Sequence, residues 1–382
     1  MDEAFTFVCL DPRKQKRADI ARLLGPVGAM QWMRLPKMRL RNWPQTKVRA
    51  ETALMAARHI PAEGLKRRLW SWILQKQYNG MRQYFEAYPT HVAVAWNGLN
   101  GSRRVFIDAA KDAGAKTLSF ELGPFPGRIT VDPKGVNFAN ALPRDPAPYL
   151  DWLHQSHINP NDWRALGAKI KQRVPIAPPA QTGALPPLTD PFIFAPLQVP
   201  GDSQLRLFGG NYRTVESFVK ALHEAAGHLP EGWHLRIKEH PSTPAFVGDL
   251  LRDVDAPIYL DNTTDTFAQV TASRGVITIN SSVGLEAVFF DKPVVACGQC
   301  FWAIPGMAEK APDQDTMNQT IARADTWQFD LEIRNAVMSF LAQVYYPERQ
   351  PNETKGAIAT IIDRLNGTGP FAFIFDTSEA KR

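Results

Sequence analysis

The chain has 382 residues, 44% of them hydrophobic and 21% charged, with a net charge of +6, which excludes a disordered or fibrous protein and fits two globular domains. The longest apolar stretches, such as 191–197 and 287–290, fall far short of the roughly 20 residues that span a bilayer. Three cysteines exclude a disulfide scaffold, and Cys297-Gly-Gln-Cys300 has CxxC spacing without the second pair that a zinc site needs.

The opening residues MDEAFTFVCLDPRKQ carry no basic segment followed by a long apolar one, so the expectation is a cytoplasmic protein without a secretory signal. Charge is unevenly placed: residues 1–100 hold 17 Lys/Arg against 7 Asp/Glu. Basic clusters stand at 13–17, at 34–41 and at Lys66-Arg67-Arg68, the last beside Trp70, Trp72, Ile73 and Leu74. Cations mixed with large apolar side chains suit an anionic membrane surface, peripheral on the inner membrane. Nucleic acid suits the charge equally, although it is not the expected partner, and a solvated basic face is the plain alternative.

In chain order, a strand is expected over 5–10, followed by helical stretches rich in Arg and Met. Regular alternation begins with strand 91–96, the loop 97–101, helix 103–113 opened by Ser102 and ended at Gly114, and strand 116–120. Pro-rich residues 175–188 read as a linker, because proline is excluded from helix interiors and central strands. Beyond it come strand 191–198, helix 215–229, strand 234–240, helix 244–254, strand 257–261, helix 264–273, strand 275–280, helix 283–290 and strand 293–297. The expected organisation is an N-terminal acceptor or catalytic domain over 1–174, the linker, a C-terminal nucleotide-sugar domain over 189–350, and a helix with tail over 351–382. Such alternation implies parallel sheets covered on both faces, with ligands at the carboxyl ends of the strands.

Four constellations lie at such ends. Lys238 and His240 sit two apart on a strand that Pro241 stops, a cation and an imidazole suited to phosphate, although a surface histidine is the commoner fate. Ser281 and Ser282 precede a helix that holds Gly284 and Glu286; either serine can cap it, and the glycine would let a ligand approach the backbone. The bland alternative is a well-capped helix with Glu286 favoured by the dipole. Gln198 and Asp202 crowd a Gly/Pro loop that is otherwise a turn. In the first domain Glu121 ends a strand and enters a stiff loop that runs on to Asp132, where a carboxylate could act on a bound sugar.

Together these motifs resemble the bacterial capsule polysaccharide biosynthesis/export family. The resemblance runs from about Trp96 to about Gly298, on Gln198-Val199 with Asp202, on Lys238, His240 and Pro241, and on Ser281 to Ala287 followed by Lys292-Pro293-Val294. The histidine-proline step and serine pair also resemble bacterial sialyltransferases, which likewise use CMP-activated sugars. The resemblance implies a GT-B fold, two Rossmann-like domains with parallel sheets facing a cleft. It implies a glycosyltransferase that moves Kdo or a related acidic sugar from a CMP-activated donor to a lipid or glycan acceptor. No cofactor or metal is implied, the CMP-sugar being the donor substrate. By the resemblance His240, Ser281 and Ser282 bind the CMP phosphate and Glu286 the ribose. The family places two acids before a glycine where this chain has Glu121-Leu122-Gly123. Either Glu121, Asp132 or another carboxylate then acts, or the reaction differs, or the protein is a non-catalytic nucleotide-sugar- or glycan-binding paralogue.

Overall fold

Short β-rich runs punctuated by capped helices build two sheets in the computed structural model, one in each of two packing units. It describes residues 5–10, 14–57, 63–171, 184–243, 247–251, 255–350 and 354–372. One unit is Met1–Pro143 with Leu341–Arg382, and the other is Arg144–Phe340.

The first unit opens with β1 (Phe5–Leu10), α1 (Lys14–Leu24), β2 (Gly28–Met33), α2 (Thr46–Met55) and α3 (Leu65–Ala87). It continues with β3 (Val92–Trp96), α4 (Gly101–Asp112), β4 (Thr117–Leu122) and β5 (Ile129–Asp132). The sheet order is β2-β1-β3-β4-β5, with β5 antiparallel to β4 and the other pairs parallel. Successive strand residues point to opposite faces. Val8, Ala93 and Ala95 therefore meet α2, α3 and α4 on one side, while Phe7, Cys9, Val92 and Val94 meet α1 on the other. Gly80 is required in α3, since a Cβ there would come within 2.1 Å of the Lys37 carbonyl oxygen. Strands β2 and β5 are absent from the sequence expectation: β2 alternates half-buried and exposed positions, and β5 follows a Gly/Pro run that masks a hairpin.

The second unit carries α5 (Ala147–Gln155), β6 (Phe192–Pro196), α6 (Ser203–Phe208), α7 (Val215–Ala226), β7 (His234–Lys238) and α8 (Val247–Leu250). Then come β8 (Ile258–Leu260), α9 (Thr266–Ala272), β9 (Gly275–Thr278), α10 (Ser282–Ala287), β10 (Val294–Ala296) and β11 (Glu309–Lys310), followed by α11 (Gln314–Ala322) and α12 (Leu331–Phe340). Local chemistry sets the helix starts: Thr214 and Ser217 form a capping box on α7, and Asp202, Asp265 and Asp313 cap α6, α9 and α11. The sheet order is β11-β10-β9-β6-β7-β8, all parallel. The chain lays down β6, β7 and β8 in one direction and returns to the other side of β6 with β9. That reversal is the topological switch point, beyond which Rossmann-type sheets open a crevice at the carboxyl edge.

The packing boundaries differ from those expected. Helix α5 belongs to the second unit, where Tyr149 and Trp152 meet Phe340 edge-on. The expected linker falls largely on 172–183, outside the described residues, as do parts of the expected helix 244–254. The chain leaves α12 through a π-helical turn, Leu341–Tyr345, exactly where the unit changes, and α13 (Thr354–Asn366) buries Ala357, Ile361 and Leu365 against the first sheet.

Buried polar groups in the second sheet fix its strand pairing. Arg236 on β7 donates to Asp261 at the end of β8 at 3.0 Å, and both are essentially inaccessible. Burial opposes the Asp261 charge, but hydrogen bonds from Thr263 and Thr264 and the Arg236 cation hold its carboxyl below the usual carboxylate range. His234 stacks on Phe192 and meets Tyr259 edge-on. Burial, reinforced by Arg236, lowers its pKa to about 4 from the ordinary 6.5. The folded state therefore resists a proton that the unfolded chain accepts below pH 6.5, so stability is lost as pH falls from there towards about 4. His234→Phe, which keeps the ring contacts, should remove about 1–3 kcal/mol of that acid sensitivity in denaturant melts at paired pH values. An unchanged pH slope would contradict the assignment.

Candidate functional site

Adjacent strands β7, β6 and β9 deliver three loops to one carboxyl edge. From β6, Gln198 is buried and donates through Nε2 to Asn280 Oδ1 at 2.9 Å, while the Asn280 backbone N–H donates to Gln198 Oε1 at 3.2 Å. Asn280 Nδ2 also reaches the Gln204 and Gln299 carbonyls. Asp202 is occupied as the cap of α6, its Oδ1 accepting from Gln204 N at 2.9 Å.

From β7, the two residues expected to act together part company. Lys238 is buried, and its Nζ donates to the Asn262 carbonyl at 2.9 Å and the Thr264 carbonyl at 2.6 Å. Burial pulls its pKa down while Asp261 and Asp265 oppose the fall. It thus ties the β8–α9 loop to β7, which corrects the expectation of an ammonium presented to phosphate. Glu239 completes the tie, accepting from Val247 N at 2.7 Å and Asn262 Nδ2 at 2.6 Å. His240 is half-buried, and its Nδ1 accepts from Ser242 N at 3.1 Å across the turn that begins with Pro241. In the neutral ring this leaves the proton on Nε2, so that nitrogen is a donor.

From β9, Ser281 caps α10, its Oγ accepting from Val283 N at 3.2 Å, and Ser282 and Glu286 are half-buried on the same short helix. Gly284 is required by packing rather than by a ligand: a Cβ there would lie 2.5 Å from the Trp302 ring. Cys297 and Cys300 are buried free thiols, burial pushing Cys300 up to about 12 and Cys297 up as well, so neither is a ready nucleophile.

In the first unit, Glu121 ends β4 half-buried at the carboxyl edge, where its carboxylate accepts from Trp96 Nε1 at 3.0 Å, Asn97 Nδ2 at 2.9 Å and Leu122 N at 3.0 Å. Leu122 is half exposed. Asp132, expected as a second catalytic carboxylate, is instead fully buried and accepts from the N–H groups of Lys134, Gly135 and Ala141 and from the Tyr345 hydroxyl at 2.8 Å. Its work is to order the 133–141 loop and fasten the returning C-terminal segment. A groove of about 820 Å³ beside α4, with Arg104, Lys111 and Lys116 in its lining, contains none of the expected site residues. Among the described residues no group of three or more His, Cys, Asp or Glu side chains is arranged to hold a metal ion.

Asn280, Glu239 and Asn262 are the site-building residues that motif reasoning passed over. Asn280 carried the one usable signal, a polar side chain at the end of an otherwise apolar strand.

Two sheets dominated by parallel strands, each with a switch point where the strand order reverses, between β1 and β3 and between β6 and β9, make this an α/β protein of the GT-B class. Residues 179–346 match the family described as capsule polysaccharide biosynthesis protein. It is 28% identical over 300 residues to Protein FixF of Sinorhizobium fredii, covering 77% of this chain and 71% of that one. It is 25% identical over 264 residues to the capsule polysaccharide modification protein LipB of Neisseria meningitidis serogroup B, spanning 57% of each. Among solved structures, the beta Kdo 2,7 transferase of Thermosulfurimonas dismutans KpsC superposes with a TM-score of 0.52 over 94% of this chain and 99% of that one. At 14% identity that likeness concerns the fold alone.

Asp132→Asn should cost about 2–4 kcal/mol of stability, since it removes a buried charged acceptor with four donors aimed at it. Denaturant melts measure this, and a variant as stable as the parent would contradict the structural role.

Proposed function

We propose that the protein is a glycosyltransferase that moves Kdo or a related acidic sugar from a CMP-activated donor to a lipid or glycan acceptor in surface polysaccharide synthesis. The observation that carries the proposal is that His240 follows β7 and Ser281, Ser282 and Glu286 follow β9, the two strands that flank β6, at one carboxyl edge beside the switch point. That edge is where open α/β sheets receive nucleotides. LipB is a capsule polysaccharide modification protein, which supports the pathway class, and the KpsC domain with the similar fold is a beta Kdo transferase.

In this proposal the Nε2–H of His240 and the serine hydroxyls donate to the CMP phosphate and Glu286 accepts from the ribose. The acceptor hydroxyl attacks the anomeric carbon, the bond from that carbon to the phosphate oxygen breaks, and CMP leaves with the electron pair. Glu121 is proposed to take the hydroxyl proton. Donors fixed before the reaction stabilise the charge that develops on the leaving phosphate.

A second reading, a non-catalytic nucleotide-sugar- or glycan-binding paralogue, is favoured by Leu122, a side chain without acid–base chemistry next to Glu121. Release of CMP from CMP-Kdo by the purified protein separates the two.

His240→Ala should weaken CMP binding by about 1–3 kcal/mol, the range for a hydrogen bond to a charged group. Unchanged affinity by calorimetry would remove His240 from the site. Glu121→Gln should lower turnover about a hundredfold or more with CMP affinity retained, whereas near-normal turnover would clear Glu121 of the proton transfer.

A further inference from the structure

Large apolar side chains are exposed over one stretch of the first unit far more than elsewhere. Among the described residues, nine of the 14 exposed large hydrophobics fall between 35 and 72: Leu35, Met38 and Leu40 before α2, Val48 and Met55 on it, and Leu65, Leu69, Trp70 and Trp72 on α3. Residues 34–72 also hold ten Lys/Arg against two Asp/Glu, more positive charge than the net of the whole chain.

Helical geometry sorts these groups. Leu65, Leu69 and Trp72 stand at i, i+4 and i+7, one stripe along the first two turns of α3, and are 83%, 57% and 50% exposed. Arg67 and Ser71 point the opposite way, where both are held by Glu51 of α2 at 2.5 and 2.7 Å. The apolar stripe therefore faces away from α2. Lys66 and Arg68 flank it and are exposed. The Arg39 N–H donates to the Lys76 carbonyl at 3.0 Å, which seats Met38 and Leu40 beside the turn of α3 that follows Trp72.

We propose that this stripe of α3, with the neighbouring 34–41 segment, docks on the surface of an anionic lipid bilayer. Leucines and a tryptophan enter the boundary between headgroups and acyl chains, and the flanking cations meet lipid phosphates. Among the described residues no helix is long and apolar enough to cross a membrane. Nucleic acid would use the cations but has no use for an exposed leucine stripe, and the charge balance matches a dense anionic surface. The sequence expectation is also sharpened: Arg67 is spent on Glu51, and Arg68 and Lys66 are the lipid-facing cations. This proposal does not rest on the identity of the sugar donor.

Co-sedimentation of the full chain with vesicles of phosphatidylcholine, with and without phosphatidylglycerol, tests it. The parent should bind the mixed vesicles better than phosphatidylcholine alone. Leu65→Gln/Leu69→Gln/Trp72→Gln should lower that binding about tenfold or more without shifting the melting temperature, because all three side chains are exposed. Should that variant melt early, Lys66→Gln/Arg68→Gln supplies an independent arm with the same expected loss. Arg67→Gln should weaken binding less than Arg68→Gln. Equal binding of the folded triple variant and the parent would overturn the proposal. So would a parent that ignores anionic vesicles while binding single-stranded nucleic acid.

Discussion

The side chains of Gln198 and Asn280 close on each other from the ends of β6 and β9, with each residue both donating and accepting. Both are buried, and an unpaired amide there would cost about 1–3 kcal/mol, so the two strand ends are set as one object. They flank the point where the sheet reverses direction. Asn280 extends the tie to the Gln204 and Gln299 carbonyls, which brings the loops after β6 and β10 into the same arrangement. His240 is placed relative to that knot by the β6–β7 ladder, in which Leu197 N donates to the Lys238 carbonyl at 2.8 Å. The carboxyl edge of β7, β6 and β9 is therefore assembled by polar contacts within the protein itself.

The same division of labour runs through the rest of the site. Lys238, Asp202 and Gly284 look like ligand-binding residues in a motif, yet each is committed to the fold: an ammonium on two carbonyls, a helix cap, and a gap left for the Trp302 ring. In the first unit Asp132 and Glu121 divide in the same way. The buried carboxylate orders a loop and anchors Tyr345, while the half-buried one stands at the carboxyl edge on the indole of Trp96. Residue type at a strand end indicates where chemistry can occur, and burial then decides which groups are released for it.

Much of the second sheet was legible because its strands are short apolar runs between clear stops: VVA, GVIT and FIFAP match the expected positions within a residue or two. The resemblance carried by Gln198, His240 and the serine pair points to the same family whose model matches residues 179–346. Beyond β1, which falls on the expected 5–10, the first 90 residues were not legible, because β2 is only partly buried and the helices α2 and α3 expose leucine, valine, methionine and tryptophan, which blurs the periodicity that marks a core-facing stripe. The return of residues 341–382 to the first unit was also hidden. It depends on long-range contacts, Tyr345 with Asp132 and Arg349 with Asp19 at 2.9 Å, that no local pattern encodes.

A crystal structure of the chain grown with CMP tests the central claim most directly. The account predicts the phosphate within hydrogen-bonding distance of His240 Nε2 and of a hydroxyl of Ser281 or Ser282, with the ribose beside Glu286. CMP lodged in the first unit, or a phosphate held away from His240 and both serines, would contradict it.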